Sequence, residues 1–151
     1  MGRIAYDEFS MFAENIAEYG LAASATPVVS RVTTTLANGR AVSALKWGSE
    51  APRMVLVHGT AQNAHTWDTT ILALGLPALA IDLPGHGHSD SAAPFAEGAG
   101  PLSQNADDMA MVIRRLAPNA AAVVGMSLGG LTSLALSHRY PDIVQIGRAH
   151  V

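Results

Sequence analysis

The chain contains no cysteine. Disulfide staples and thiolate chemistry are therefore excluded, while the redox compartment stays open, because a chain without thiols tolerates any potential. Charge is also scarce: 14% of residues are charged against 49% hydrophobic, a balance that disordered chains do not reach. The 9 Lys and Arg residues are scattered, with Arg114-Arg115 the one adjacent pair, and the net charge is -3. No basic patch is left for a phosphate backbone, so nucleic acid is not an expected partner. No apolar run approaches the roughly 20 residues of a membrane span, and Met1 to Glu8 lacks the charged start and apolar core of a signal peptide. The expected location is the cytoplasm. At 151 residues, the length suits one domain with a substantial core.

Periodicity gives a coarse reading of the elements. Tyr6 to Tyr19 places Phe9, Phe12, Ala13, Ile16 and Ala17 at helical spacing among acidic residues, which predicts an amphipathic helix. Val28 to Leu36 and Ala41 to Trp47 are β-rich and flank Asn38-Gly39, so an antiparallel hairpin is expected there. The pattern then changes. Met54 to Val57, Ala78 to Ile81 and Ala120 to Val124 are unbroken apolar runs, the signature of parallel strands covered on both faces. A crossover helix is expected from Ser103 to Leu116, with Ser103 or Asn105 as cap, Asp107 and Asp108 at the positive end and Arg114 and Arg115 at the negative end. A last helix is expected from Leu128 to about Arg139, stopped by Pro141. Ser91 to Pro101 reads as a surface loop. Strand and helix in alternation mean a parallel sheet.

The strongest chemical signal is Gly125-Met126-Ser127-Leu128-Gly129, a G-x-S-x-G set between an apolar strand and a helix. Such a turn needs glycine on either side, because side chains there would strike neighbouring backbone. It lifts the serine hydroxyl off the carboxyl edge of the sheet, beside amides at a helix start. The bland alternative is a glycine-rich turn with an idle capping serine.

Three blocks carry a family resemblance: Met54-Val55-Leu56-Val57-His58-Gly59-Thr60, Ile81 through Asp90, and Val124 through Gly130. In this order they resemble the signature blocks of the α/β-hydrolase superfamily. The resemblance implies an α/β fold, namely a mostly parallel sheet with an N-terminal antiparallel hairpin, truncated after the helix that follows strand 5. It also implies acyl transfer to water through Ser127 as nucleophile, with an oxyanion hole made by the backbone N–H groups of Leu128 and Thr60 and no cofactor. The substrate would be a small molecule with an ester, thioester or amide carbonyl. Relatives with the glycine-rich loop usually carry another glycine where this chain has Thr60. His58, Gly59, Gly125 and Gly129 are expected as supporting residues, His58 by bracing the oxyanion loop through a hydrogen bond. In this family the acid and then the histidine follow the serine; neither is found in this chain. His138 sits at the far end of the nucleophile's own helix, out of reach, and reads as a surface residue.

A rival constellation is His86-Gly87-His88-Ser89-Asp90. Its H-x-H-x-D spacing resembles the binuclear zinc site of metallo-β-lactamase-type hydrolases, but the further histidine of that motif is replaced by Ser91, and zinc needs three or four ligands in fixed geometry. The turn reading is preferred and no metal site is expected. Asp82 reads as a loop anchor rather than a triad acid. Trp67 lines a pocket or packs the first crossover helix. The alternatives to a serine hydrolase are thus a zinc hydrolase and a non-catalytic binding module on the same scaffold.

Ile146-Gly147-Arg148-Ala149-His150-Val151 matches the translation of a common short-read sequencing adapter, with Gln145 consistent with the preceding codon. The expectation is an N-terminal hydrolase-domain segment, 1–145, followed by a non-native tail, 146–151. Such a segment, lacking the acid and histidine, is expected to be inactive alone, with its oligomeric state open.

Overall fold

The computed structural model describes residues 6–21, 28–94 and 100–143; the expected tail at 146–151 lies outside them. Five strands form one sheet: β1 (Val29–Thr35), β2 (Ala41–Trp47), β3 (Met54–Val57), β4 (Ala78–Ile81) and β5 (Ala122–Gly125). Their spatial order is β1-β2-β4-β3-β5. β1 and β2 are the expected antiparallel hairpin, with Val29 opposite Trp47 and Thr35 opposite Ala41. Its turn places Gly39 at φ 82°, and the Leu36 amide donates to the Arg40 carbonyl at 2.8 Å. β2 runs antiparallel to β4, and β3 lies parallel to β4 and β5.

For β3 and β4 the continuous apolar runs are explained by cover on both faces; β5 departs from that expectation, with Ala122, Val124 and Gly125 exposed, because among the described residues it pairs with β3 alone. Val55, Val57, Leu79 and Ile81 point to one side and pack with Ala106, Met109, Ile113 and Leu136 from α3 (Pro101–Leu116) and α4 (Leu128–Arg139). Leu56, Ala78 and Ala80 point to the other, where Leu45 and Trp47 meet Phe12 of α1 (Phe12–Glu18) and Ile71 of α2 (Asp68–Leu74). A short 3₁₀ turn, Ala64–Trp67, precedes α2. Trp67 packs into this second cluster, which decides for packing between its two sequence readings.

Three expected boundaries shift. The first helix is shorter than Tyr6 to Tyr19, since residues 8–11 form a turn and α1 begins at Phe12. The helix expected from Ser103 begins at Pro101, whose fixed φ suits the first helical position. Gly100 takes the cap position with extended backbone and no side-chain bond, so neither Ser103 nor Asn105 caps it. Asp107 and Asp108 sit in the second turn and face other partners: Asp107 accepts from Arg139 and Tyr140, Asp108 from Arg40. The strand expected from Ala120 starts at Ala122 and extends to Gly125. Of the Ser91 to Pro101 loop, residues 91–94 lack regular structure and 95–99 lie outside the described residues.

Candidate active site

β5 ends at Gly125 and α4 starts at Leu128, so Met126 and Ser127 alone reverse the chain. Ser127 does this at φ 52°, ψ −117°, a backbone region that costs a non-glycine residue about 1–3 kcal/mol. Close packing leaves the chain no other path. A β-carbon on Gly129 would overlap the Val57 carbonyl and stand 2.6 Å from the His58 oxygen, and one on Gly125 would overlap the Gly129 carbonyl. The Met126 amide donates to the Val57 oxygen at 3.1 Å, and the Gly129 amide to the Met126 oxygen at 2.9 Å. The bend is thereby pinned to the end of β3, and Ser127 stays exposed at the carboxyl edge of the sheet.

The second loop at this edge is His58 to Gln62. Gly59 is buried directly beside the serine: a β-carbon placed on it would lie 3.3 Å from that of Ser127 and 3.4 Å from the Met126 oxygen. The Gly59 amide donates to Oε1 of Gln62 at 2.8 Å. Ala61 adopts φ 58°, and it and Ser127 are the two non-glycine residues with positive φ among those described. The Thr60 and Leu128 amides have no hydrogen-bond partner among the described residues.

His58 is fully buried. The Leu83 amide donates to Nε2 at 3.0 Å, so that nitrogen carries the lone pair, and Nδ1 donates its proton to the Gly59 carbonyl at 2.7 Å. Burial pushes the ring's pKa below its ordinary value. Both nitrogens are committed, which leaves His58 neutral and without a free site for a proton from Ser127. It ties the loop after β3 to the loop after β4.

A family model for the α/β hydrolase fold matches residues 52–145. The chain belongs to the α/β-hydrolase family. Esterase Rv0045c of Mycobacterium tuberculosis is 50% identical over 138 residues, covering 91% of this chain and 43% of that protein. A crystal structure of the same esterase superposes with a TM-score of 0.80 at 46% identity, covering 95% of this chain and 48% of that one. A 2-(acetamidomethylene)succinate hydrolase of Mesorhizobium japonicum is 32% identical over 109 residues, 71% of this chain and 38% of its own length. The chain spans less than half the length of these relatives.

On this hydrolase scaffold the remaining sequence candidates find structural places. Asp82, fully buried, accepts from the Ala64 amide at 2.7 Å, the His88 amide at 3.2 Å and Nη1 of Arg31 at 2.8 Å. It anchors the loops after β3 and β4, as its position suggested. The H-x-H-x-D run is the turn itself. Asp90 accepts from the Ala41 amide at 2.7 Å, His86 Nδ1 bonds the Pro84 carbonyl at 3.0 Å, and the His86 ring packs at a tilt against His58 with centroids 5.0 Å apart. Among the described residues no three His, Asp or Glu side chains converge as a metal site would require. His138 is exposed on α4.

Sequence reasoning missed two features. Arg31 joins Asp82 to Glu8, and Glu8 Oε2 also lies 3.2 Å from Nε2 of His65, whose Nδ1 bonds Asp68 at 2.7 Å. This ionic chain ties the segment before α1 to the sheet. Gln62 was the second. Arg31 meets its partners only through the fold, and Gln62, although three residues from Gly59, follows no spacing rule that marks it. An open groove of about 1010 Å³ runs from Ser127 along β5 and α4, past Val123, Leu131 and Leu134. No helix among the described residues is long and apolar enough to cross a membrane.

Proposed function

We propose that this chain supplies the nucleophile and oxyanion hole of a cofactor-independent serine hydrolase acting on a small-molecule ester or similar carbonyl. The observation that carries the reading is the backbone of Ser127, held at φ 52°, ψ −117° between β5 and α4. A strained serine persists only where surrounding structure enforces it, and such strain concentrates at reacting groups. The relatives named as esterase and hydrolase agree with this chemistry.

In the proposed reaction Ser127 Oγ bonds to the substrate carbonyl carbon while a histidine removes its proton. The carbonyl oxygen, now negative, is held by the unpartnered amides of Leu128 and Thr60, each such donor being worth about 3 kcal/mol. The Gly59 amide is already taken by Gln62, which favours Thr60 as the donor from that loop. Collapse expels the alcohol with the proton from the histidine; water then adds to the acyl-serine and releases the acid. In this reading the histidine and its acid follow the serine in the whole protein, since the chain spans less than half the length of its relatives. His58 cannot stand in for that base, having neither a free nitrogen nor a raised pKa. The reading keeps residues 1–145 as hydrolase domain, 146–151 as a foreign tail, and the cytoplasm as location.

A fluorophosphonate probe tests this in the whole protein. Labelling at Ser127, lost in Ser127→Ala, is the expected result. Undiminished labelling of the alanine variant, or none of the wild type, would overturn it; the latter would favour a binding module on this scaffold.

A further inference from the structure

Two loops meet beneath the candidate nucleophile, and a single side chain sets the shape of one of them. Between Gly59 and Gln62 the chain turns sharply enough to force Ala61 to φ 58°, a conformation that costs an alanine roughly 1–2 kcal/mol. The compensating contact is the bond from the Gly59 amide to Gln62 Oε1 at 2.8 Å. It closes a ring over Thr60, the residue whose amide points to no partner among the described residues. Gly59 in turn abuts Ser127, with a hypothetical β-carbon 3.3 Å from the serine's own. The same hypothetical atom would lie 2.8 Å from Gln62 Oε1, so the carboxamide, Gly59 and Ser127 form one contiguous contact.

From this juxtaposition we infer that Gln62 is a positioning residue for the hydrolysis reaction. It acts through the backbone: by capping the Gly59 amide it fixes the turn that presents the Thr60 amide to the developing oxyanion. The inference rests on the oxyanion role proposed for Thr60. Its physical content is that an acceptor atom at the reach of a glutamine side chain is required, while the neutral amide nitrogen is not. Losing the acceptor frees a buried amide and lets the strained Ala61 relax, which moves the Thr60 donor. Displacement of a catalytic group by about 1 Å is enough to cost on the order of a hundredfold in rate. The Thr60 amide acts on charge that develops only in the transition state, so the loss falls on kcat.

The test compares Gln62→Met, which keeps length and removes the acceptor, with Gln62→Glu, which keeps an acceptor oxygen at the same reach. Steady-state hydrolysis of a p-nitrophenyl ester and the rate of fluorophosphonate labelling are measured in the whole protein, with melting temperatures alongside. The expected result is a ten- to hundredfold fall in kcat for Gln62→Met with KM changed less than about twofold, and a rate within about threefold of wild type for Gln62→Glu. Labelling should slow in the same proportion. Wild-type kcat in folded Gln62→Met overturns the inference, as does a Gln62→Glu variant impaired equally. Should Gln62→Met fail to fold, Gln62→Asn, one methylene too short to reach the Gly59 amide, takes its place with the same expected loss of kcat. Absence of labelling in the wild-type protein would instead strike the hydrolase reading itself, and so is distinguishable.

Discussion

Gly59 and Ser127 touch across the gap between two loops, the one after β3 and the one after β5, close enough that a methyl group on Gly59 would stand 3.3 Å from the serine β-carbon. Neither loop could take its shape alone. The Ser127 bend is pinned by Met126 to Val57 at the end of β3, and the Gly59 turn by Gln62 and by His58. Parallel pairing of β3 with β5 brings the two ends together, Val57 opposite Gly125. The candidate site is thus a consequence of strand register, and its strain is held by the sheet beneath it.

That strain can be measured. Ser127→Gly removes the cost of a left-handed backbone, whereas Ser127→Ala keeps it; both lose the hydroxyl. After allowing for the extra flexibility of glycine in the unfolded chain, Ser127→Gly is expected to be about 1 kcal/mol more stable than Ser127→Ala in urea titrations. Equal stability would mean that the bend is relaxed at this position.

Much of the scaffold was legible because its signals are local. Strands buried on both faces must be continuously apolar, so β3 and β4 stood out, and Asn38-Gly39 marked the hairpin. The serine bend was legible for the same reason, since Gly125, Ser127 and Gly129 solve a steric problem within five residues. What stayed hidden is long-range. Arg31 meets Asp82 and Glu8 through folding alone, and nothing near it in sequence announces a partner. Gln62 lies only three residues from Gly59, yet a glutamine in a loop has no spacing rule attached. The start of α3 was misplaced because Gly100 caps by backbone conformation and leaves no polar side chain to read.

The glycines at the bend admit no side chain. A β-carbon at Gly129 meets carbonyl oxygens of Val57 and His58, at the end of β3 and the first residue after it, where the Val57 backbone is held in the sheet. Gly129→Ala is expected to cost about 3 kcal/mol or more, by overpacking against backbone. Gly130→Ala, whose β-carbon would rest 3.4 Å from the Gly125 oxygen, is expected to cost less. The ordering, read from thermal melts of the pair, is the check; a tolerant Gly129 would contradict the packing described.

Two histidines draw stability in opposite directions with pH. His65 bonds Asp68 and Glu8, which raises its pKa above the ordinary 6.5. Its contribution is complete below that value and fades as pH rises through the folded-state value. His58 is held below 6.5 by burial, so its contribution is present above 6.5 and is lost as pH falls through the lowered value. Burial also raises Asp68, so its charge at neutral pH is tolerated chiefly because His65 faces it. His65→Gln is expected to flatten the decline of stability as pH rises above about 6.5. Tryptophan fluorescence gives the readout, because Trp47 packs against Phe12 of α1 with tilted rings, centroids 4.9 Å apart, and Trp67 lies in the same cluster. An unchanged alkaline slope in His65→Gln would remove this histidine from the account.

The free side of β5 carries the last prediction. Within the described residues β5 pairs only with β3, and beside it Leu131 and Leu134 are 54% and 67% exposed. An unpaired strand edge flanked by apolar side chains is a template for further pairing and an adhesive surface. The 151-residue chain expressed by itself is therefore expected to self-associate, as seen by size exclusion and light scattering over a range of concentrations. A double change, Leu131→Lys with Leu134→Lys, places two like charges along the groove and is expected to shift the chain toward monomer without altering the strand content seen by circular dichroism. If the unmodified chain instead runs as a monomer with a cooperative melt, the groove is not adhesive and the edge must be protected by a contact outside the described residues.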